Sequence, residues 1–82
     1  MGPDMTASTA ALLENALRDI AGPDAAPTSI TIDYGAAGPS GQARAWVERS
    51  TRSLVFAQAE VRAADGALVA AASGVFRRVT RA

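Results

Sequence analysis

The chain has 82 residues, enough for one small domain, and half of its 49% hydrophobic complement is alanine. Only 20 side chains can therefore bury much apolar area, so a partner subunit is expected to complete the core. Eight arginines balance eight carboxylates with no lysine, histidine or cysteine, which excludes disulfides, a thiol nucleophile and a Ser-His-Asp or Cys-His apparatus, leaves zinc without its usual ligands, and offers no basic footprint for nucleic acid.

The first expected element is a helix from Thr6 to Ala21. Leu13, Ala16, Leu17 and Ile20 recur at i, i+3, i+4 and i+7 and form one apolar face. Asp4, Thr6 and Ser8 are all competent caps for its start. Gly22 followed by Pro23 ends it, because glycine takes a left-handed cap and proline cannot continue a helix. Pro23 to Pro27 reads as a connection.

Four β-segments follow. Ser29 to Tyr34 alternates, with Ile30, Ile32 and Tyr34 on one side and Thr31 and Asp33 on the other. The Gly-Ala-Ala-Gly-Pro-Ser-Gly run from Gly35 to Gly41 reads as a loop; with no lysine and no following helix it is not a phosphate loop. Gln42 to Arg49 sets Ala43, Ala45 and Val47 against Arg44, Trp46 and Glu48. After a turn at Ser50-Thr51-Arg52, Ser53 to Ala63 sets Val55, Ala57, Ala59 and Val61 against Phe56, Gln58, Glu60 and Arg62. Asp65-Gly66 is a strong hairpin signal. Ala67 to Val79 closes the chain with Leu68, Ala70, Ala72, Gly74 and Phe76 on one face, and Arg77 to Arg81 is expected to fray into a basic tail.

The expected fold is α+β: one N-terminal helix packed on a meander of four antiparallel strands, in a single domain over residues 1–82. The alanine-rich strand faces mark where the helix comes close. No run approaches the ~18–20 apolar residues of a membrane span. The opening residues Met1 to Met5 lack the basic and apolar regions of a secretory signal, so a cytoplasmic location is expected. A cystatin-like domain shares the order helix, then strands.

The run from Gly41 to Arg62, with its continuation from Asp65 to Arg77, resembles the second half of hotdog-fold acyl-CoA thioesterases. The likeness is closest to the phenylacetate-degradation and hydroxybenzoyl-CoA thioesterases, in a shortened form. It rests on a glycine opening a strand, an arginine-containing turn, an Asp-Gly hairpin and a final strand of the form Leu68-Val69-Ala70 … Gly74-Val75-Phe76. It extends from about Thr6 to Val79. The resemblance implies a hotdog-like fold, a helix wrapped by the sheet, and dimers that pair edge strands into one sheet, with tetramers as a further option. It implies hydrolysis of an acyl-CoA or related thioester between subunits, with no cofactor, metal, nucleic acid or membrane. The family's first strand has no counterpart, and Met5, Thr6 and Ala7 stand where the family carries His-Gly-Gly.

Glu14 occupies the place of the family's catalytic carboxylate on the helix. As such it would act as general base or nucleophile toward a thioester carbonyl. It also precedes Arg18 by four residues, the favourable spacing for a surface ion pair. Asn15 is a candidate to orient water or substrate, set against the plainer reading of a solvated helix residue. Arg49 and Arg52 flank the turn where relatives meet coenzyme A phosphates, a contact that suits the arginine fork, or they are solvated turn residues. Tyr34 and Trp46 would line an acyl pocket or fill an interface. The alternative function is a non-catalytic relative that binds an acyl thioester or a protein partner.

Overall fold

The computed structural model describes residues 8–35 and 41–79. It is an α+β arrangement of helix α1 (Thr9–Ala21) and strands β1 (Ala25–Tyr34), β2 (Gln42–Ser50), β3 (Leu54–Arg62) and β4 (Leu68–Arg78). The four strands form one open antiparallel sheet, and α1 packs across one of its faces.

The helix caps at Ser8, whose Oγ accepts a hydrogen bond from the Ala11 N–H at 3.0 Å. That satisfies one of the free donors of the first turn. The other two cap candidates, Asp4 and Thr6, lie outside the described residues, as do Met5 and Ala7. At the far end Gly22 has φ +98°, and its N–H donates to the Arg18 carbonyl at 3.1 Å.

The apolar face of α1 differs from the expected one. Leu13 and Leu17 are fully buried and Ala16 packs beside them, but Ile20 is 41% exposed, and Leu12 and Ala21 complete the face instead. The stripe that meets the core runs through the buried Leu13 and Leu17 and the half-buried Ala21 at four-residue steps, which leaves Ile20 exposed.

Beneath the helix lie Val55, Ala57, Ala59 and Val61 of β3 and Ala70, Ala72, Gly74 and Phe76 of β4, all buried. Cross-strand pairing sets Ala57 against Gly74 and Ala59 against Ala72, so the centre of the sheet is paved with small residues. Leucines from α1 descend onto that floor. Leu68 departs from expectation: a register shift at Val61/Arg62 leaves it half-buried and buries Val69 in its place.

The strand order is β1-β4-β3-β2. This corrects the meander: β2, β3 and β4 are joined by hairpins, but β1 pairs with β4, so β1 and β2 form opposite edges. The ends of β1 and β2 are three strand spacings apart, about 14 Å, which a segment of seven residues spans easily. Of the expected loop over 35–41 only Gly35 and Gly41 fall among the described residues. The expected connection over Pro23 to Pro27 is shorter than its prolines suggest. β1 already begins at Ala25, and Pro27 sits in it beside a register shift. An edge strand tolerates proline because its missing N–H can face away from the ladder.

Both hairpin turns follow their side chains. Thr51 Oγ1 accepts from the Leu54 N–H at 3.0 Å, and the Thr51 N–H donates to the Leu54 carbonyl at 2.8 Å. Asp65 accepts from the Ala67 N–H at 2.9 Å, and Gly66 takes φ +89° in a three-residue loop closed by Ala63 and Ala67. The basic end is more ordered than expected. Arg77 and Arg78 belong to β4, and Arg78 donates from Nε to the Thr51 carbonyl at 3.0 Å and from Nη2 to Ser50 Oγ. Arg81 lies outside the described residues.

Candidate functional site

Glu14 follows the fully buried Leu13 on α1, and its own side chain is 45% exposed. Its Oε2 accepts from Arg18 Nε at 2.9 Å and lies 2.8 Å from Arg18 Nη2. The fork thus holds one carboxylate oxygen from both sides. Oε1 has no hydrogen-bond partner among the described residues. Asn15, one step further round, is exposed.

The other candidates are distributed over both faces of the sheet. Tyr34 shares the parity of Ile30 and Ile32, so it lies on the helix side, at the end of the β1 edge, and is 67% exposed. Trp46 stands across from Gln58 and Arg49 across from Phe56, both of which alternate away from the buried Ala57. Trp46 and Arg49 therefore lie on the open face, opposite the helix. Arg52 is exposed in the turn between β2 and β3. Within one chain, Glu14 and Asn15 are neighbours on α1, while Trp46 and Arg49 are separated from them by the sheet.

A cluster that sequence reading left out occupies the open face near the start of β2. Glu60 lies 3.1 Å from Arg62 Nε and 4.0 Å from Arg44 Nη1. Hydrogen bonding to Arg62 is the main influence that lowers the Glu60 carboxyl below its ordinary range; burial opposes this, and the charges of Arg62 and Arg44 add to it. The same pairing raises the Arg62 guanidinium. Arg62 also donates from Nη1 to the Gly66 carbonyl at 2.9 Å, so its fork is largely committed. Arg44 is freer: its guanidinium stands 5.3 Å from the centre of the Trp46 ring, and Trp46 Nε1 donates to Glu48 at 3.3 Å.

Arg44, Glu60 and Arg62 border a shallow groove of about 600 Å³ between Gly41 and Ala64. The signal for the cluster was present in the sequence. Glu60 and Arg62 share a face by alternation, and the Ser50–Ser53 turn sets Arg44 opposite Glu60. A second hollow of about 360 Å³ lies at the helix C-terminus between Arg18, Asp19, Gly22 and Ala25. Among the described residues no three acidic side chains converge to hold a metal ion, and no helix is long and apolar enough to cross a membrane.

Comparison of the chain with protein-family models, with curated proteins and with solved structures gives no match.

Proposed function

We propose that the chain is a hotdog-like domain that hydrolyses an acyl-CoA or related thioester, with Glu14 as the working carboxylate at a site completed by a second copy joined along the edge strands. The observation that carries this reading is the place of Glu14. It sits on α1, beside the buried Leu13, with Oε2 held by Arg18 and Oε1 without a hydrogen-bond partner among the described residues. The single helix across one face of a β1-β4-β3-β2 sheet is compatible with a hotdog-like arrangement and supports the resemblance of the strand sequences.

In this reading Glu14 takes a proton from water as the water oxygen bonds to the thioester carbonyl carbon. The tetrahedral intermediate then collapses, the C–S bond breaks, and the sulfur leaves as thiol with the proton returned by Glu14. The site draws on Tyr34 and Asn15 from the helix side. Trp46 and Arg49 lie on the open face, away from Glu14, and take no part in this site. Arg52, in the turn, completes the phosphate contacts.

The second reading is a non-catalytic relative that binds an acyl thioester or a protein partner. The Glu14–Arg18 ion pair favours it, because a carboxylate engaged on its own helix surface already has a structural task. Steady-state assay of an acyl-CoA panel with wild type and Glu14→Gln separates the two. Hydrolysis abolished by the substitution supports catalysis by Glu14. Absent hydrolysis, or hydrolysis unchanged by the substitution, overturns it. Calorimetric binding of an acyl-CoA without turnover establishes the second reading.

A further inference from the structure

The groove between Gly41 and Ala64 has no part in the proposed hydrolysis. Its volume of about 600 Å³ falls in the range of small-molecule sites. It lies between the start of β2 and the end of β3. Its charged lining is Arg44, Glu60 and Arg62, and Ala43, Ala63 and Ala64 supply its apolar part. At Gly41 the chain runs so close to β3 that a Cβ would overlap the Arg62 carbonyl, so the two segments meet there with no side chain between them.

The three charges are not equivalent. Arg62 holds both oxygens of Glu60, with Nε 3.1 Å from Oε2 and Nη2 3.2 Å from Oε1, and it commits Nη1 to the Gly66 carbonyl at 2.9 Å. That pair is closed and neutral. Arg44 is the surplus cation. Its Nη1 stands 4.0 Å from Glu60 Oε2, too far for a hydrogen bond, and its side chain donates none among the described residues. The side chain is 74% exposed, so its donors are open to a ligand arriving from solvent. It is nonetheless steadied. The guanidinium lies 5.3 Å from the centre of the Trp46 ring, and Trp46 Nε1 donates to Glu48 at 3.3 Å. An arginine held against an aromatic face loses less freedom on binding than a mobile one.

The guanidinium fork matches the two oxygens of a carboxylate. One surplus positive charge suits a monoanion, and the Glu60 carboxylate in the wall disfavours a second negative charge. The alanine methyls suit a short hydrocarbon chain. We infer that the groove binds a small organic monocarboxylate, its oxygens on Arg44 and its hydrocarbon part against Ala63 and Ala64. The site is separate from Glu14, which lies on α1 at the opposite face of the sheet, and it does not depend on the thioesterase reading.

Trp46 is the only tryptophan and packs against Arg44, so its emission reports the site. The intact protein is titrated with butyrate, with butyramide as the neutral match and with inorganic phosphate as the dianion, at about pH 8 and fixed ionic strength. Calorimetry reads the same titrations. Butyrate is expected to saturate with a dissociation constant of about a millimolar, butyramide to give no saturable signal, and phosphate to bind at least about tenfold more weakly than butyrate. Arg44 is exposed on an edge strand, so its substitution leaves the core intact, which circular dichroism confirms. Arg44→Gln should raise the butyrate dissociation constant at least about tenfold, and Arg44→Lys, which keeps the charge and loses the fork, by less. Arg77→Gln, at an exposed arginine on β4, should leave it unchanged. Butyrate that fails to saturate, butyramide that binds equally well, or butyrate binding that survives Arg44→Gln overturns the inference. Phosphate binding as tight as that of butyrate overturns it too, because Glu60 would then exert no selection for a single charge.

Discussion

A Cβ added to Gly74 would stand 2.9 Å from Cε1 of Phe76, and 3.4 Å from Cδ1 of Leu17. Phe76 and Leu17 are both fully buried, so neither has free space to move into. At Gly74 the sheet backbone leaves no room for a further atom beneath Leu17 and Phe76.

Gly74→Ala is therefore expected to destabilise the domain by about 1–3 kcal/mol, although removing a strand glycine ordinarily helps. Urea denaturation should show a lower midpoint with an unchanged slope. An unchanged or raised midpoint would mean that the ring of Phe76 can give way.

The two helix positions Leu17 and Ile20 separate in the same experiment. Leu17→Ala removes a fully buried side chain and should cost about 2–5 kcal/mol. Ile20→Ala, at a position 41% exposed, should change stability by less than about 1 kcal/mol.

Ser8→Ala removes the acceptor for the Ala11 N–H and should cost about 1 kcal/mol. Ser8→Gly should cost less, since glycine is itself tolerated at a cap. The comparison of the two thermal midpoints checks the capping assignment.

Glu14→Gln breaks an exposed i,i+4 pair and should cost no more than about 0.5 kcal/mol. Its thermal midpoint should stay close to wild type. Loss of hydrolysis in a variant that keeps its fold then reports on chemistry.

The Glu60 carboxyl lies below its ordinary value of 4.5 in the folded chain, chiefly because Arg62 hydrogen-bonds to it. Its contribution to stability is present above that ordinary value and is lost as the pH falls through the lower folded value. Glu60→Gln should flatten this part of the acid limb. Urea midpoints of the two proteins measured between about pH 6 and pH 2 should converge toward the acid end.

Local signals in the sequence predicted the elements well. Gly22-Pro23 marks the helix end, Asp65-Gly66 marks the turn between β3 and β4, and the parity of Val55 to Val61 gives the buried side of β3. The differences come from tertiary context. Ile20 has the right spacing for the core, but the stripe through Leu13, Leu17 and Ala21 is the one that meets the sheet. Pro27 argues against a strand until β1 proves to be an edge. The pairing of β1 with β4 has no local signature, because the partners are remote in sequence. For the site, the helix position of Glu14 was readable, and so was its pair with Arg18. That Trp46 and Arg49 lie across the sheet from Glu14 was not, since alternation gives parity but not which parity the helix covers.

The place of β1 also bears on how the chain is made. Residues 25–34 leave the ribosome well before residues 68–78, yet among the described residues they have no other strand to bond with. The hairpins β2-β3 and β3-β4 form from neighbouring segments, so a local three-stranded unit can assemble as it emerges. Closing β1 onto it joins Ala25 to Arg78, remote from it in sequence. That long loop closure is the slow kind of contact, and completion of the sheet waits until residues 68–78 have been made.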